Sequence, residues 1–332
     1  MSQLPNPVFA APAYPAPMTI SQILDRTFRL LRSNFWRLIG IAAAPCALIL
    51  FIVLAMEAVV FAPIIAQWPH PTPDAMLRPH MPAVFTLLFV IVSILSAAIF
   101  GIYMAAASHA STQADYGIKV TFRQAYGMAW NRLGRHIWLL FWIYLRSLFP
   151  VLAIYILLAC GIGLLALTKT TPTLIAFLLF PALLLLIPAF VYGILQMLRL
   201  SLAFPACVEE GLTARASIEQ SMRLTQGAKG RIFLVALIIY AILYAAMMAV
   251  ELIVMLLGSI GVFAAAGLHI QSFNPWGYIA IGFAGLVLAG LMVLWMSLTY
   301  AALTTALSVI YHDQRLRHDA PPPMPPPPGM PE

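Results

Sequence analysis

Glu57, Arg146 and Glu251 are ionisable side chains set inside long apolar runs. A charge at the centre of a lipid bilayer costs about 2.5–3.5 kcal/mol on insertion scales, so each calls for a partner or a task. Glu57 and Glu251 each fall 38 residues after a threonine that opens a similar segment, Thr19 and Thr213, which puts both at one depth. They stand about 19 residues into their helices, roughly 29 Å from the start and level with the far headgroups. Two carboxylates there either sit among those headgroups or form a pair that binds a cation or proton. Arg146 stands about nine residues into its run, roughly 13 Å deep. Its guanidinium can snorkel to the near headgroups, pair within a helix bundle, or bind an anionic ligand such as a lipid phosphate. Neither glutamate is within its easy reach.

Other chemistry is hard to find. The seven histidines are scattered, and no zinc-protease, nucleophile-elbow, phosphate-loop or dinucleotide motif occurs. His70, Asp74 and His80 share one segment, but its prolines make a poor frame for a metal. Cys46, Cys160 and Cys207 have no metal or redox spacing and read as small packing residues. No catalytic residue, metal or cofactor is expected.

The elements that must hold these residues are legible in composition. Of 332 residues 62% are apolar and 9% charged, against about 25% charged in an ordinary soluble domain. That excludes a simple cytosolic enzyme, a disordered chain and a disulfide scaffold. Six apolar runs, at about 38–62, 83–107, 137–167, 173–197, 232–257 and 278–306, each meet the roughly 20 residues a helix needs to cross hydrocarbon. They lack the alternation of a barrel strand. Pro150, Pro181 and Pro188 predict kinks in the third and fourth runs. The fifth continues weakly past Gly258 and Gly261 as a broken helix or a turn. Residues 1–18 and 319–332 are rich in proline and read as disordered tails around a membrane domain at 19–318. Ser93, Ala97, Gly101 and Ala105 in the second run, and Gly282, Gly285 and Ala289 in the sixth, predict close helix packing. Ser297, Thr299, Tyr300, Thr304 and Thr305 either line a polar cavity or bond back to their own helix.

The net charge of +7 is unevenly placed. Fifteen Lys and Arg fall on one side of the spans, while Arg78 and Lys169 fall on the other. By the positive-inside rule both termini are cytoplasmic, and the basic side meets anionic headgroups rather than nucleic acid.

Three basic segments are alike: TISQILDRTFRLLRSNFWRL from Thr19, TFRQAYGMAWNRLGRHIWLL from Thr121, and TARASIEQSMRLTQGAKGRI from Thr213. Each threonine can cap a helix. Positions 1, 4, 5, 8, 9 and 12 after it form one face, with a small residue at 8 and a bulky one at 9. Such a helix lies in the interface with its apolar face in the acyl boundary; the third, least apolar copy can pack on protein instead. The expected fold is an all-α membrane protein of six transmembrane helices, arranged as three units of amphipathic helix plus hairpin.

The segment EGLTARASIEQSMRLTQG, at 210–227, resembles an E-G…S-x-x-L-x-x-G signature through Glu210, Gly211, Ser221, Leu224 and Gly227. YHDQRLRH, at 311–318, is similar to a closing Y-x-D-x-R-x-R pattern through Asp313, Arg315 and Arg317. Both patterns are those of a bacterial family of six-helix membrane proteins that this chain thereby resembles, and which includes the membrane domain attached to some glycerophosphoryl diester phosphodiesterases. The resemblance implies a multi-pass plasma-membrane protein. It implies no phosphodiesterase activity, because the catalytic barrel would need roughly 200–250 further residues. Glu210, Arg315 and Arg317 are expected to pair and to fix the segment at 210–227 against the C-terminal segment. The expected function is non-enzymatic: organising anionic inner-leaflet lipid, or partner proteins. The alternative is a permease for a small or lipid-like solute, using Arg146 and the hydroxyl-rich end of the sixth run.

Overall fold

The structure, a computed structural model, describes residues 17–65, 81–167, 172–267 and 275–319. These form ten helices and no strand: α1 (Ile20–Ser33), α2 (Phe35–Ile65), α3 (Met81–Asp115), α4 (Phe122–Asn131), α5 (Leu133–Leu167), α6 (Pro172–Leu200), α7 (Ala203–Glu209), α8 (Ala214–Leu224), α9 (Lys229–Gly267) and α10 (Pro275–Asp319). Six of them, α2, α3, α5, α6, α9 and α10, are long and apolar enough to cross a membrane. Pro150, Pro181 and Pro188 lie inside continuous helices. The weak extension of the fifth run is neither broken nor a turn, because α9 continues to Gly267. The sixth helix runs 13 residues beyond the expected end at 306, through Tyr311 and Arg317 to Asp319. The segment 66–80, with His70, Asp74, Arg78 and His80, lies outside the described residues, as do Lys169, most of both tails and the Cys160 side chain.

Burial is concentrated at one end. Ile41, Ala105, Leu139, Val235 and Ala302 are buried near the end where the basic segments lie. Away from it, Phe51, Leu157 and Leu286 are about 70% exposed. An exposed apolar surface on this scale is what a lipid-facing bundle presents and what a soluble monomer avoids. The small-residue stripe of α3 follows the same gradient. Ser93 is exposed, Ala97 half-buried, and Gly101 and Ala105 buried. A side chain at Gly101 would meet Leu140 of α5 at 3.3 Å, so this stripe is a packing surface. The sixth-run stripe differs from expectation: Gly285 is exposed and has no neighbour within 4 Å of a built Cβ. The tightest approach joins α5 to α6, where a Cβ on Gly193 would stand 2.9 Å from the Ser147 carbonyl oxygen.

The three short helices α1, α4 and α8 begin just after Thr19, Thr121 and Thr213, whose hydroxyls accept from the amides of Gln22, Gln124 and Ala216. In the first two, the glutamine side chain bonds back to the threonine amide, completing a capping box. At positions 4 and 8 of the pattern, Ile23, Thr27, Ala125, Ala129, Ser217 and Ser221 are all 0% exposed. At these positions the faces pack on protein, where for the first two copies an apolar face in the acyl boundary was expected. The α1 face packs on α10 and α9, that of α4 on α3, and that of α8 on α7 and α5. The physical reason is the small side chain at position 8 of every copy, joined at position 4 by Ala125 and Ser217, which admits a neighbouring backbone where a lipid-facing helix would carry bulk. Only rim residues such as Phe122 and Trp130 stay exposed, with Trp36 beside them at the start of α2.

Gly193→Ala should therefore lower the thermal midpoint in detergent by the equivalent of about 1–3 kcal/mol. Gly127→Ala, on open helix surface, should raise it by the equivalent of about 0.5–1 kcal/mol. Equal responses would remove the close approach at Gly193 as a structural constraint.

Candidate functional site

The last polar turns of α10 should be solvated if the helix simply left the membrane. Instead Tyr311, His312, Asp313 and Gln314 are all under 9% exposed. Four consecutive helical residues point to every side, so neighbours surround the helix end completely.

Each of the first three meets a different partner. Tyr311 donates its hydroxyl to Glu210 Oε1, and Glu210 also faces Arg315 at 3.7 Å. His312 stands between two carboxylates, with Nδ1 3.4 Å from Asp115 Oδ2 and Nε2 3.0 Å from Glu209 Oε1. Thr112 donates to Glu209 at 2.9 Å, and Arg26 Nε reaches Asp115 Oδ1 at 2.7 Å. The Tyr116 hydroxyl lies 3.3 Å from His312 Nε2. Burial, and then the Glu209 and Asp115 carboxylates, hold the Tyr116 phenol above its ordinary pKa, so it remains a neutral hydroxyl.

Asp313 gathers the most. Its carboxylate accepts from the Met18 amide at 2.6 Å, Arg231 at 2.8 Å and Arg317 at 3.0 Å. The same two arginines donate to the Met18 carbonyl at 2.6 and 2.9 Å. Met18, expected in the disordered tail, is therefore clamped. The network unites α1, α3, α7, α9 and α10 through Arg26, Arg231, Arg315 and Arg317 against Asp115, Glu209, Glu210 and Asp313. Removing one member of a buried ion pair costs about 3–5 kcal/mol, because the other is left desolvated and uncompensated.

The signature residues all lie at this end. Glu210 and Arg315 face each other, as expected. Arg317 does not join them; it pairs with Asp313, one turn back on its own helix face. Gly211 and Gly227 have φ of +65° and +76°, the left-handed region that a side chain strains. Arg135 donates to the Gly211 and Leu212 carbonyls at 2.7 and 3.1 Å, which fixes the α7–α8 turn against α5. Ser221 donates to the Arg199 carbonyl at 2.8 Å, and Leu224 is fully buried. Sequence reasoning missed Arg26, Asp115, Glu209, Arg231 and His312. Their signal is the scarcity of acid: only 11 Asp and Glu occur in the whole chain, so a carboxylate at the end of an apolar run stands out.

Of the three intramembrane candidates, none enters the bundle. Glu57 and Glu251 are exposed on its outside, and no ion pair or hydrogen bond joins either to another group among the described residues. Arg146 is exposed, with its guanidinium 5.9 Å from the Trp142 ring centroid. It lines a groove of about 430 Å³ together with Trp138 and Trp142 on α5 and Arg215, Ile218, Glu219 and Met222 on α8. Glu219 holds Arg215 at 3.0 Å on the same helix. The sixth-run hydroxyls do not converge on Arg146. Thr299, Thr304 and Thr305 donate to carbonyls four residues back in α10. Cys46 and Cys207 are free thiols, and no cluster able to hold a metal occurs among the described residues.

Fold and site together define a multi-pass α-helical membrane protein with a polar, interlocked end. No family model, curated protein or solved structure matches the chain.

His312→Phe keeps a ring of similar shape while removing the donors that face Asp115 and Glu209. It should cost about 3 kcal/mol in a denaturant or thermal titration. Arg29→Ala, which loses only the exposed contact with Asp25, should change stability by less than about 0.5 kcal/mol. A silent His312→Phe would mean that the network does not hold the helix ends.

Proposed function

We propose that this chain is a non-enzymatic protein of a bacterial plasma membrane that holds anionic lipid headgroups at the inner leaflet. Both termini and the basic end face the cytoplasm in this account, following the fifteen basic residues on that side. The chain is built as three units of short helix plus hairpin, and it belongs with the six-helix family that its 210–227 and 311–318 segments resemble. The basic end can also receive a protein partner.

The observation that carries the proposal is the groove between α5 and α8. Two guanidiniums stand beside two indoles in about 430 Å³. That volume falls within the roughly 300–1,000 Å³ of ordinary ligand sites. A phosphate gains charge-assisted hydrogen bonds from arginine. Tryptophan is the residue that suits the boundary between headgroup and hydrocarbon. Glu219 shares Arg215, while Arg146 stands against the Trp142 ring with no ion pair among the described residues, which leaves it available for an anion.

The test is binding of phosphatidylglycerol and phosphatidylcholine to the protein in detergent, followed by thermal shift. Phosphatidylglycerol should stabilise the wild type more than phosphatidylcholine does. Arg146→Ala with Arg215→Ala should weaken its binding at least tenfold, since each lost arginine–phosphate bond is worth about 1.5–3 kcal/mol. Equal stabilisation by the two lipids, or an unaffected double variant, would remove the lipid-holding role.

A further inference from the structure

A second, separate cavity lies inside the bundle. It has about 320 Å³ and is bordered by α3, α5, α6, α7, α9 and α10. Phe100, Phe204, Val235, Leu303 and Leu307 are among its walls, so it is apolar almost throughout. Met197 on α6 lines it and is 50% exposed, so the cavity is not sealed from the surface that faces lipid.

Among the few hydroxyls in this lining, one differs from the rest. Ser147 of α5 lines the cavity, is 1% exposed, and its hydroxyl has no hydrogen-bond partner among the described residues. That is unusual in this molecule. Thr27, Ser93, Thr299, Thr304, Thr305 and Ser308 all sit in helices and all donate to the carbonyl four residues back. A helical serine has that bond available at no cost in geometry. A buried hydroxyl left without it is a donor waiting for an acceptor. The phenols of Tyr144 and Tyr300 border the same space.

We infer that this cavity binds a neutral lipid: a hydrocarbon body carrying one uncharged oxygen, which meets the Ser147 hydroxyl. Water is a poor occupant. Filling the space would take about ten molecules at roughly 30 Å³ each, and every one needs two to four polar partners. The walls offer the Ser147 hydroxyl, two phenols, and the Ser201 and Thr304 hydroxyls, which already donate to nearby backbone carbonyls. A phospholipid ester is also a poor match. No charged side chain is among the walls, so nothing in the cavity would hold its phosphate. The oxygen must therefore belong to a molecule without a charged headgroup, as a carbonyl of quinone type or an alcohol of isoprenoid type. The groove at Arg146 takes no part, so the two sites stand or fall separately.

The test uses the full chain in detergent, titrated with farnesol, with a decyl-substituted benzoquinone and with dodecane. At least one oxygenated probe should bind saturably to the wild type, and which one binds tells alcohol from carbonyl. Ser147→Ala keeps the volume of the site; it should bind that probe at least tenfold more weakly and leave dodecane unchanged. Leu303→Trp fills the cavity and should abolish binding, while Arg146→Ala with Arg215→Ala should leave it intact. Matched elution and melting of Ser147→Ala and wild type show that the fold is kept. Failure of both oxygenated probes to saturate, equal binding by Ser147→Ala, or undiminished binding by Leu303→Trp would overturn the assignment.

Discussion

The Asp313 carboxylate is the point on which the basic end of the molecule depends. It is fully buried, yet it accepts from two arginines and a backbone amide drawn from three separate stretches of chain. Desolvation of a carboxylate costs several kcal/mol, and only a full set of donors offsets it. The donors come from α9, from α10 itself and from Met18 ahead of α1. The carboxylate is satisfied only if those elements arrive together. A charge that is costly unless every partner is present enforces one arrangement more strictly than apolar contact does. Lipid tails are as apolar as leucine, so apolar burial gives helices in a bilayer little reason to choose one another. Polar satisfaction does.

The distribution of burial follows from this. Near the network the helices are close-packed, with Gly101 of α3 and the alanines of α3 and α10 letting backbones approach. Toward the far end the large apolar residues are exposed, and Glu57 and Glu251 sit on the outside. The molecule is thus a locked base that carries less constrained helices. The central cavity lies just inside the locked region, beside the Ser147–Gly193 contact. The Arg146 groove lies on the flank, where α8 is held against α5 by the Arg135 bonds to the α7–α8 turn. Both sites take their shape from the same interlocked end, though they offer opposite chemistry.

The sequence made the spans plain, because roughly 20 apolar residues in a row have few other uses, and all six expected runs lie in long helices. The three threonine-opened helices were legible in the same way, down to the small residue at position 8. What those faces touch was not legible. An apolar stripe looks the same whether it meets acyl chains or a neighbouring helix, and only the small side chains hinted at protein. The pairing of Glu210 with Arg315 could be anticipated from the shared side of the membrane. The Asp313 cluster could not, since Met18 lies 295 residues from Asp313 along the chain and Arg231 about 80, and periodicity carries no information about such contacts. Arg146 was singled out for its depth, but depth alone does not tell whether a side chain points into a bundle or out of it.

The most direct measurement is a double-mutant cycle between Asp313→Asn and Arg231→Met, read by reversible unfolding in detergent. If the buried cluster holds the basic end together, the two substitutions are strongly non-additive, with a coupling of about 1–3 kcal/mol. Strict additivity would contradict the account, because it would mean that the two groups, though 2.8 Å apart, do not rely on each other.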